Sequence, residues 1–166
     1  MKRQLLYLSL VLIVIGFTAC DDQQAEPAVN ATQAPVLATV QPVRWYDRTQ
    51  VEWGDGLFQT HCSECHKPDA SGTSDWRTPL ASGKYPPPPL DGTAHTWHHP
   101  LTVLRRTVRI GGVPLGGTMP GFADKLTSEQ IDAILAWVQS HWPDEIYRIW
   151  HERNMQANER LQSQKG

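Results

Sequence analysis

The chain has 166 residues, of which 40% are hydrophobic, 19% charged and 8% aromatic, with a formal net charge of −2. That length suits one domain with appendages, and a charged fraction below the globular mean of about 25% excludes a polyelectrolyte. Residues 1–19 carry Lys2 and Arg3 and no acid; without them basic side chains fall from 15 to 13 against 17 acidic ones, a net of −4, which lacks the clustered cations that non-specific nucleic-acid binding needs.

Lys2 and Arg3 precede an apolar run from Leu5 to Ala19. Its length is that of a signal-peptide core and falls short of the ~20 residues a helix needs to cross hydrocarbon. The run ends Phe17-Thr18-Ala19-Cys20, which resembles a bacterial lipobox, although Phe17 stands where Leu is usual. Residues 1–19 are therefore expected to be a signal peptide, with Cys20 lipidated and the protein held at the periplasmic face of the cytoplasmic membrane. An uncleaved signal anchor is the competing reading. Asp21 resembles an inner-membrane retention signal. Residues 20–44, rich in Gln, Ala, Pro and Thr without amphipathic period, read as anchor and tether, with a reach of roughly 25–30 Å for a flexible chain of this length.

Seven tryptophans, all beyond residue 44, mark the folded part, expected over residues 45–142. Asp47 to Thr60 reads as a first helix with Val51, Leu57 and Phe58 apolar and Trp53 a further candidate. Gly54 and Gly56 lower its propensity and are expected to permit a close helix crossing. Pro100 to Ile110 reads as a second helix, with Pro100 at its first position, a stripe of Leu101, Leu104 and Val108, and Gly111 as the stop. Thr127 to His141 is the clearest helix, opened by a capping box of Thr127 and Gln130 and carrying Ile131, Ile134, Leu135 and Val138 at i, i+3, i+4, i+7. After Pro143 a last helix, Asp144 to about Leu161, forms an extension (residues 143–166) that packs on the domain, meets a partner or stays free. No strand pair stands out. The long Gly/Pro/Ser stretch from Lys67 to Thr96, with Pro86-Pro87-Pro88-Pro89, counts against a compact fold unless it wraps a ligand.

The chemistry lies in His61-Cys62-Ser63-Glu64-Cys65-His66. Cys-x-x-Cys-His is the c-type haem attachment signature: two thiols add across the vinyl groups on one porphyrin edge, and the adjoining histidine reaches iron from one face. Three rivals are weaker. A zinc site lacks a second Cys pair or a spaced His pair. A thioredoxin-like couple lacks its βαβ setting. A disulfide here closes a trivially small loop. Met119 sits about fifty residues beyond His66 in Gly116-Gly117-Thr118-Met119-Pro120-Gly121-Phe122. Glycine lets backbone approach a porphyrin closely and Pro120 stiffens the loop, so Met119 is read as the second axial ligand rather than core filler.

These residues resemble class I cytochromes c over about Asp47 to Trp142. Gly54-x-x-Leu57-Phe58-x-x-x-Cys62-x-x-Cys65-His66 looks like the family's first helix and haem site, Pro88-x-Leu90-x-Gly92 like its proline loop, and Gly117-x-Met119-Pro120-x-Phe122 like its methionine loop. The resemblance implies an all-α fold, three or so helices around one covalent haem c, and one-electron transfer. It further implies His66 as proximal and Met119 as distal iron ligand, the Pro88 carbonyl as acceptor for the His66 Nδ1–H, Leu90 against the porphyrin, and Trp137 packed on the first helix.

The rest stays open at this level. Trp97, or a neighbouring His, is a candidate donor to a haem propionate, against a half-buried indole beside exposed histidines. His95, His98 and His99 are candidates to replace Met119 or to bind copper, against plain exposure. Arg105, Arg106 and Arg109 are candidates for docking an acidic partner or neutralising haem propionates, against a solvated face. The leading expectation is a membrane-tethered electron carrier serving redox partners of a respiratory chain, without a catalytic constellation of its own. Competing with it are a haem enzyme or gas sensor with an open or displaceable distal position, and a fixed cytochrome subunit of a larger redox complex.

Overall fold

A computed structural model describes residues 43–164. The expected signal segment, Cys20 and the expected tether up to residue 42 lie outside the described residues. The described residues are helical, as expected for the all-α fold: α1 (Arg48–His61), α2 (Ser63–His66), α3 (Leu101–Ile110), α4 (Ser128–Ser140) and α5 (Asp144–Ser163), with 3₁₀ turns at Thr96–His98 and Val113–Leu115. The one extended pairing among them is an isolated parallel bridge between Tyr85 and Gly117. None of these helices is long and apolar enough to cross a membrane.

α1 and α4 start by the same device. The Asp47 carboxylate accepts from the Gln50 amide at 2.8 Å while the Gln50 side chain accepts from Asp47 N–H at 3.2 Å. Thr127 and Gln130 repeat the exchange at 3.3 and 2.9 Å. Each box satisfies two of the amides a helix start leaves without partners.

These two helices form the spine of the core. Phe58 and Trp137 meet with ring centroids 4.1 Å apart, a contact worth ~0.5–1.5 kcal/mol beyond the area it buries. The crossing is close because of Gly54: a Cβ there would overlap the Ala133 carbonyl and lie 3.0 Å from Trp137 Cβ. Gly56 does not share this role. It is exposed, with nothing within 4 Å of an added Cβ, because the contact stripe passes through positions 54 and 58, one helical turn apart. Trp53 is also outside the stripe, 47% exposed.

α3 buries Leu101, Leu104 and Val108 and stops at Gly111, whose φ is 79°. Pro100 is the extended residue before the helix rather than its first position. Proline has no side-chain acceptor to cap the free amide that follows it. That amide, Leu101 N–H, instead donates 2.9 Å to Oδ1 of Asn154, a buried residue of α5.

The extension therefore packs on the domain. Tyr147 and Trp150 of α5 are fully buried, and the Trp150 indole donates 2.9 Å to His99 O. At the other end of the domain sequence, Arg44 pairs with Asp144 at 2.7 Å and lies 3.7 Å from the Tyr147 ring centroid. Past Asn154 the helix becomes largely exposed, including Met155 and Leu161.

Candidate functional site

The first half of the site is built where α1 ends. Cys62 N–H closes the last turn on Phe58 O at 2.8 Å, and His66 N–H returns to Cys62 O at 2.9 Å. The short α2 thus stacks Cys62 and His66 one turn apart, on one side. Cys62 is half-buried and packs against the core, while Cys65 is exposed. Burial, with a smaller push from Cys65, drives the Cys62 thiol up to about 11. Burial thus disfavours the free thiolate on which redox exchange depends. Among the described residues no group of three or more His, Cys, Asp or Glu is placed to hold a metal ion.

His66 is 7% exposed, and its Nδ1 lies 3.0 Å from Pro88 O. The imidazole Nδ1–H is the only donor the pair offers, so Nε2 carries the lone pair, and it has no hydrogen-bond partner among the described residues. Burial holds the His66 pKa below the ordinary value, and the Pro88 contact opposes this only in part. The ring is neutral, fixed in tautomer and orientation, and ready to give its free nitrogen to a metal. Pro88 rather than its neighbours is the acceptor. Leu90 is half-buried against the core, its N–H bonded to Ala70 O at 2.8 Å and its carbonyl to the Trp142 indole at 2.7 Å.

The second half is the loop after α3. Met119 is half-buried and packs against the core. Its carbonyl accepts from Gly112 N–H at 3.0 Å, Gly117 N–H returns to Gly112 O at 3.0 Å, and Phe122 N–H reaches Val108 O at 3.0 Å. Phe122 is buried, its ring 6.4 Å from that of His61. The segment is thus doubled on itself and sewn to the end of α3. Gly111 permits this, since a Cβ there would sit 2.6 Å from Met119 O and from Pro120 C.

The remaining candidates are spread differently. Trp97 stacks on His98 at 3.8 Å, and the Arg153 guanidinium of α5 lies 5.0 Å from the indole centroid and bonds His98 Nδ1 at 3.0 Å. His95 stacks on Trp76 at 4.7 Å and meets His99 edge-on at 5.6 Å. His98 thus pairs with Trp97 and Arg153 while His95 and His99 meet each other, and no three-ligand copper site arises among the described residues. His95 Nδ1 is buried without a partner among them. Of the three arginines, Arg105 is committed within the domain, forming a two-point bond to Asp132 at 2.6 and 2.8 Å. Arg106 and Arg109 remain exposed.

Sequence reasoning missed Trp142, Ala70 and Tyr85, which hold the proline segment. Their contributions are an indole 52 residues away and backbone groups, and no side-chain pattern announces either.

No curated protein and no solved structure matches the chain. A family model described as Cytochrome C oxidase, cbb3-type, subunit III matches residues 49–138, from the first turn of α1 to near the end of α4. That span, more than half of the chain, contains the Cys62–His66 turn, the proline segment and the Met119 loop, and the chain accordingly belongs to the cbb3-type subunit III family, with a class I mono-haem cytochrome c domain.

Proposed function

We propose that the chain carries single electrons through one haem c, bound covalently by Cys62 and Cys65 and ligated axially by His66 and Met119, while a lipid on Cys20 holds it at the periplasmic face of the cytoplasmic membrane. The observation that carries this reading is the buried His66, oriented by Pro88 and following directly on the two cysteines. Haem c supplies a one-electron couple between Fe(II) and Fe(III).

The residues of this chain set how that couple behaves. His66, held by the Pro88 carbonyl, presents Nε2 in a fixed direction, and the hydrogen bond raises its basicity. Met119 offers a thioether, which with a histidine favours the reduced state and raises the potential. Leu90, Phe122 and Phe58 supply apolar surroundings that keep water away. Trp97 or the neighbouring His95 donates to a haem propionate, and the unpartnered His95 Nδ1 supports such an acceptor there. Were His66 and Met119 both to hold the iron, no position would remain there for a substrate, and the role would be transfer rather than catalysis. The irregular stretch from Lys67 to Thr96 then packs on the cofactor in place of protein core.

The family description favours a second reading of the partner: a fixed subunit of an oxidase complex instead of a carrier that visits several partners. Both use the same chemistry. Protein matured with haem-loading machinery is expected to show a mass of polypeptide, lipid and one haem, and a far-red sulfur-to-iron absorption band when oxidised. A colourless product would overturn the reading. Rapid stoichiometric carbon monoxide binding to the reduced wild type would favour a haem enzyme or gas sensor. Gentle solubilisation of membranes separates the partner readings: a monomer that reduces an oxidase in solution is a carrier, and co-migration with oxidase subunits through purification marks a fixed subunit.

A further inference from the structure

Four prolines in a row, Pro86 to Pro89, cannot donate a single backbone hydrogen bond, so the segment Tyr85–Leu90 has donors only at its two ends. Both are used. Tyr85 N–H donates to Gly116 O at 3.2 Å, and Leu90 N–H to Ala70 O at 2.8 Å. Four successive carbonyls accept as well: Pro87 O from Thr73 N–H at 2.9 Å, Pro88 O from His66 Nδ1 at 3.0 Å, Pro89 O from Thr96 Oγ1 at 3.5 Å, and Leu90 O from the Trp142 indole at 2.7 Å. Gly72 lies flush against the rod, since a Cβ on it would stand 2.5 Å from Pro88 O and Pro89 N.

The two ends of this rod serve different halves of the site. Tyr85 bridges to Gly117, two residues before Met119, in the loop that also bonds Gly112 to Met119 O. Pro88 holds His66. Each proline ring fixes φ near −65°, and at ~3.1 Å per residue a polyproline segment keeps Tyr85 and Pro88 about 9 Å apart. A flexible linker between the same anchors would let one loop move without the other. This one transmits displacement, because it can neither fold up nor lengthen.

We infer that residues 85–90 are a rigid tie that couples the Met119 loop to the His66 side of the site, so that the methionine loop cannot swing open without straining the contacts of Pro87 and Pro88. The tie rests on the axial roles proposed above for His66 and Met119. Its function is to hold both ligands at fixed separation in the two oxidation states and to keep foreign ligands from displacing Met119. Tyr85 and the prolines are positioning residues in this sense.

The test uses the haem-loaded protein and Tyr85→Pro, which removes the N–H given to Gly116. Amide exchange at Gly112 and Gly117 is expected to accelerate at least tenfold. So is exchange at Thr73 and Leu90, at the other end of the tie, while amides of α1 and α4 keep their rates. Imidazole entry to the oxidised iron is expected to speed up at least tenfold. Pro87→Gly keeps every donor and acceptor but loosens the rod. It should give the same pattern to a smaller degree, and it decides the matter if Tyr85→Pro fails to fold. Acceleration confined to residues 112–117, or unchanged imidazole entry, would overturn the tie. Absence of the far-red band in the wild type would overturn the axial role of Met119 instead, and the exchange pattern would still decide whether the two loops are coupled.

Discussion

The Nδ1 of His66 lies 3.0 Å from the carbonyl oxygen of Pro88, 22 residues further along the chain. One hydrogen bond thus fixes which nitrogen of a buried imidazole is free. It also ties the end of the Cys-x-x-Cys-His turn to the first of the two loops that follow. Without it the ring could rotate, and its free nitrogen would have no defined direction.

Met119→Ala removes the thioether while leaving Cys62 and Cys65 intact. The variant is expected to retain covalent haem, to lose the far-red band, to have a lower potential, and to bind carbon monoxide stoichiometrically when reduced. Spectroelectrochemical titration of both proteins checks this; identical spectra and midpoints would remove Met119 from the iron.

Asn154→Ala leaves Leu101 N–H buried without an acceptor at the start of α3. The cost expected from cap and buried-amide substitutions is about 1–2 kcal/mol. Urea unfolding should show a lower midpoint with an unchanged slope. Asn154→Asp, which restores an oxygen, should recover part of the loss. Equal midpoints for wild type and Asn154→Ala would mean that α5 does not cap α3 in solution.

Gly54 and Gly56 separate packing from propensity on one helix. Gly54→Ala drives a methyl into the Ala133 carbonyl and is expected to cost at least the ~1–3 kcal/mol of overpacking. Gly56→Ala meets nothing and should stabilise by up to about 1 kcal/mol through helix propensity. Thermal melts of the two variants should move in opposite directions; a shared direction would contradict the crossing described here.

Burial, and then neighbouring histidines, hold His95 and His99 below the ordinary imidazole value of 6.5. Their folded-state pKa values lie below the unfolded ones, so the unfolded chain binds more protons as pH falls. The stability linked to them is complete above about 6.5 and is lost on acidification through the folded values. With Trp97 as the propionate donor, the haem-loaded protein should therefore unfold at lower urea at pH 5 than at pH 7.5, whereas a propionate on His95 would favour its imidazolium and oppose that loss. His95→Gln should narrow that gap, and an unchanged gap would exclude His95 as a contributor.

Much was legible before folding because it is written in local rules. The Thr127–Gln130 capping box and the apolar period of α4 sit within one or two helical turns, and Cys62, Cys65 and His66 share a single turn. The Asp47–Gln50 box carries Asp in the usual Ser/Thr place, and the sequence reading did not pick it out. The limit showed at Pro100, where the helix starts one residue later than proline statistics suggest because its cap comes from Asn154.

By itself the sequence determined the helices, the Cys62–His66 turn and the isolation of Met119 in a glycine-bounded loop, since periodicity, caps and short motifs act over a few residues. Tertiary structure alone decided that α5 closes over the domain, that Gly54 but not Gly56 admits α4, that Arg105 is spent on Asp132, and that Tyr85 and Trp142 anchor the proline segment. Those outcomes depend on backbone carbonyls, indole nitrogens and surface contacts joined across spans from 27 residues (Arg105 to Asp132) to 79 (Gly54 to Ala133), and a backbone carbonyl is the same group whichever residue bears it. Only the path of the folded chain determines which one meets a given donor.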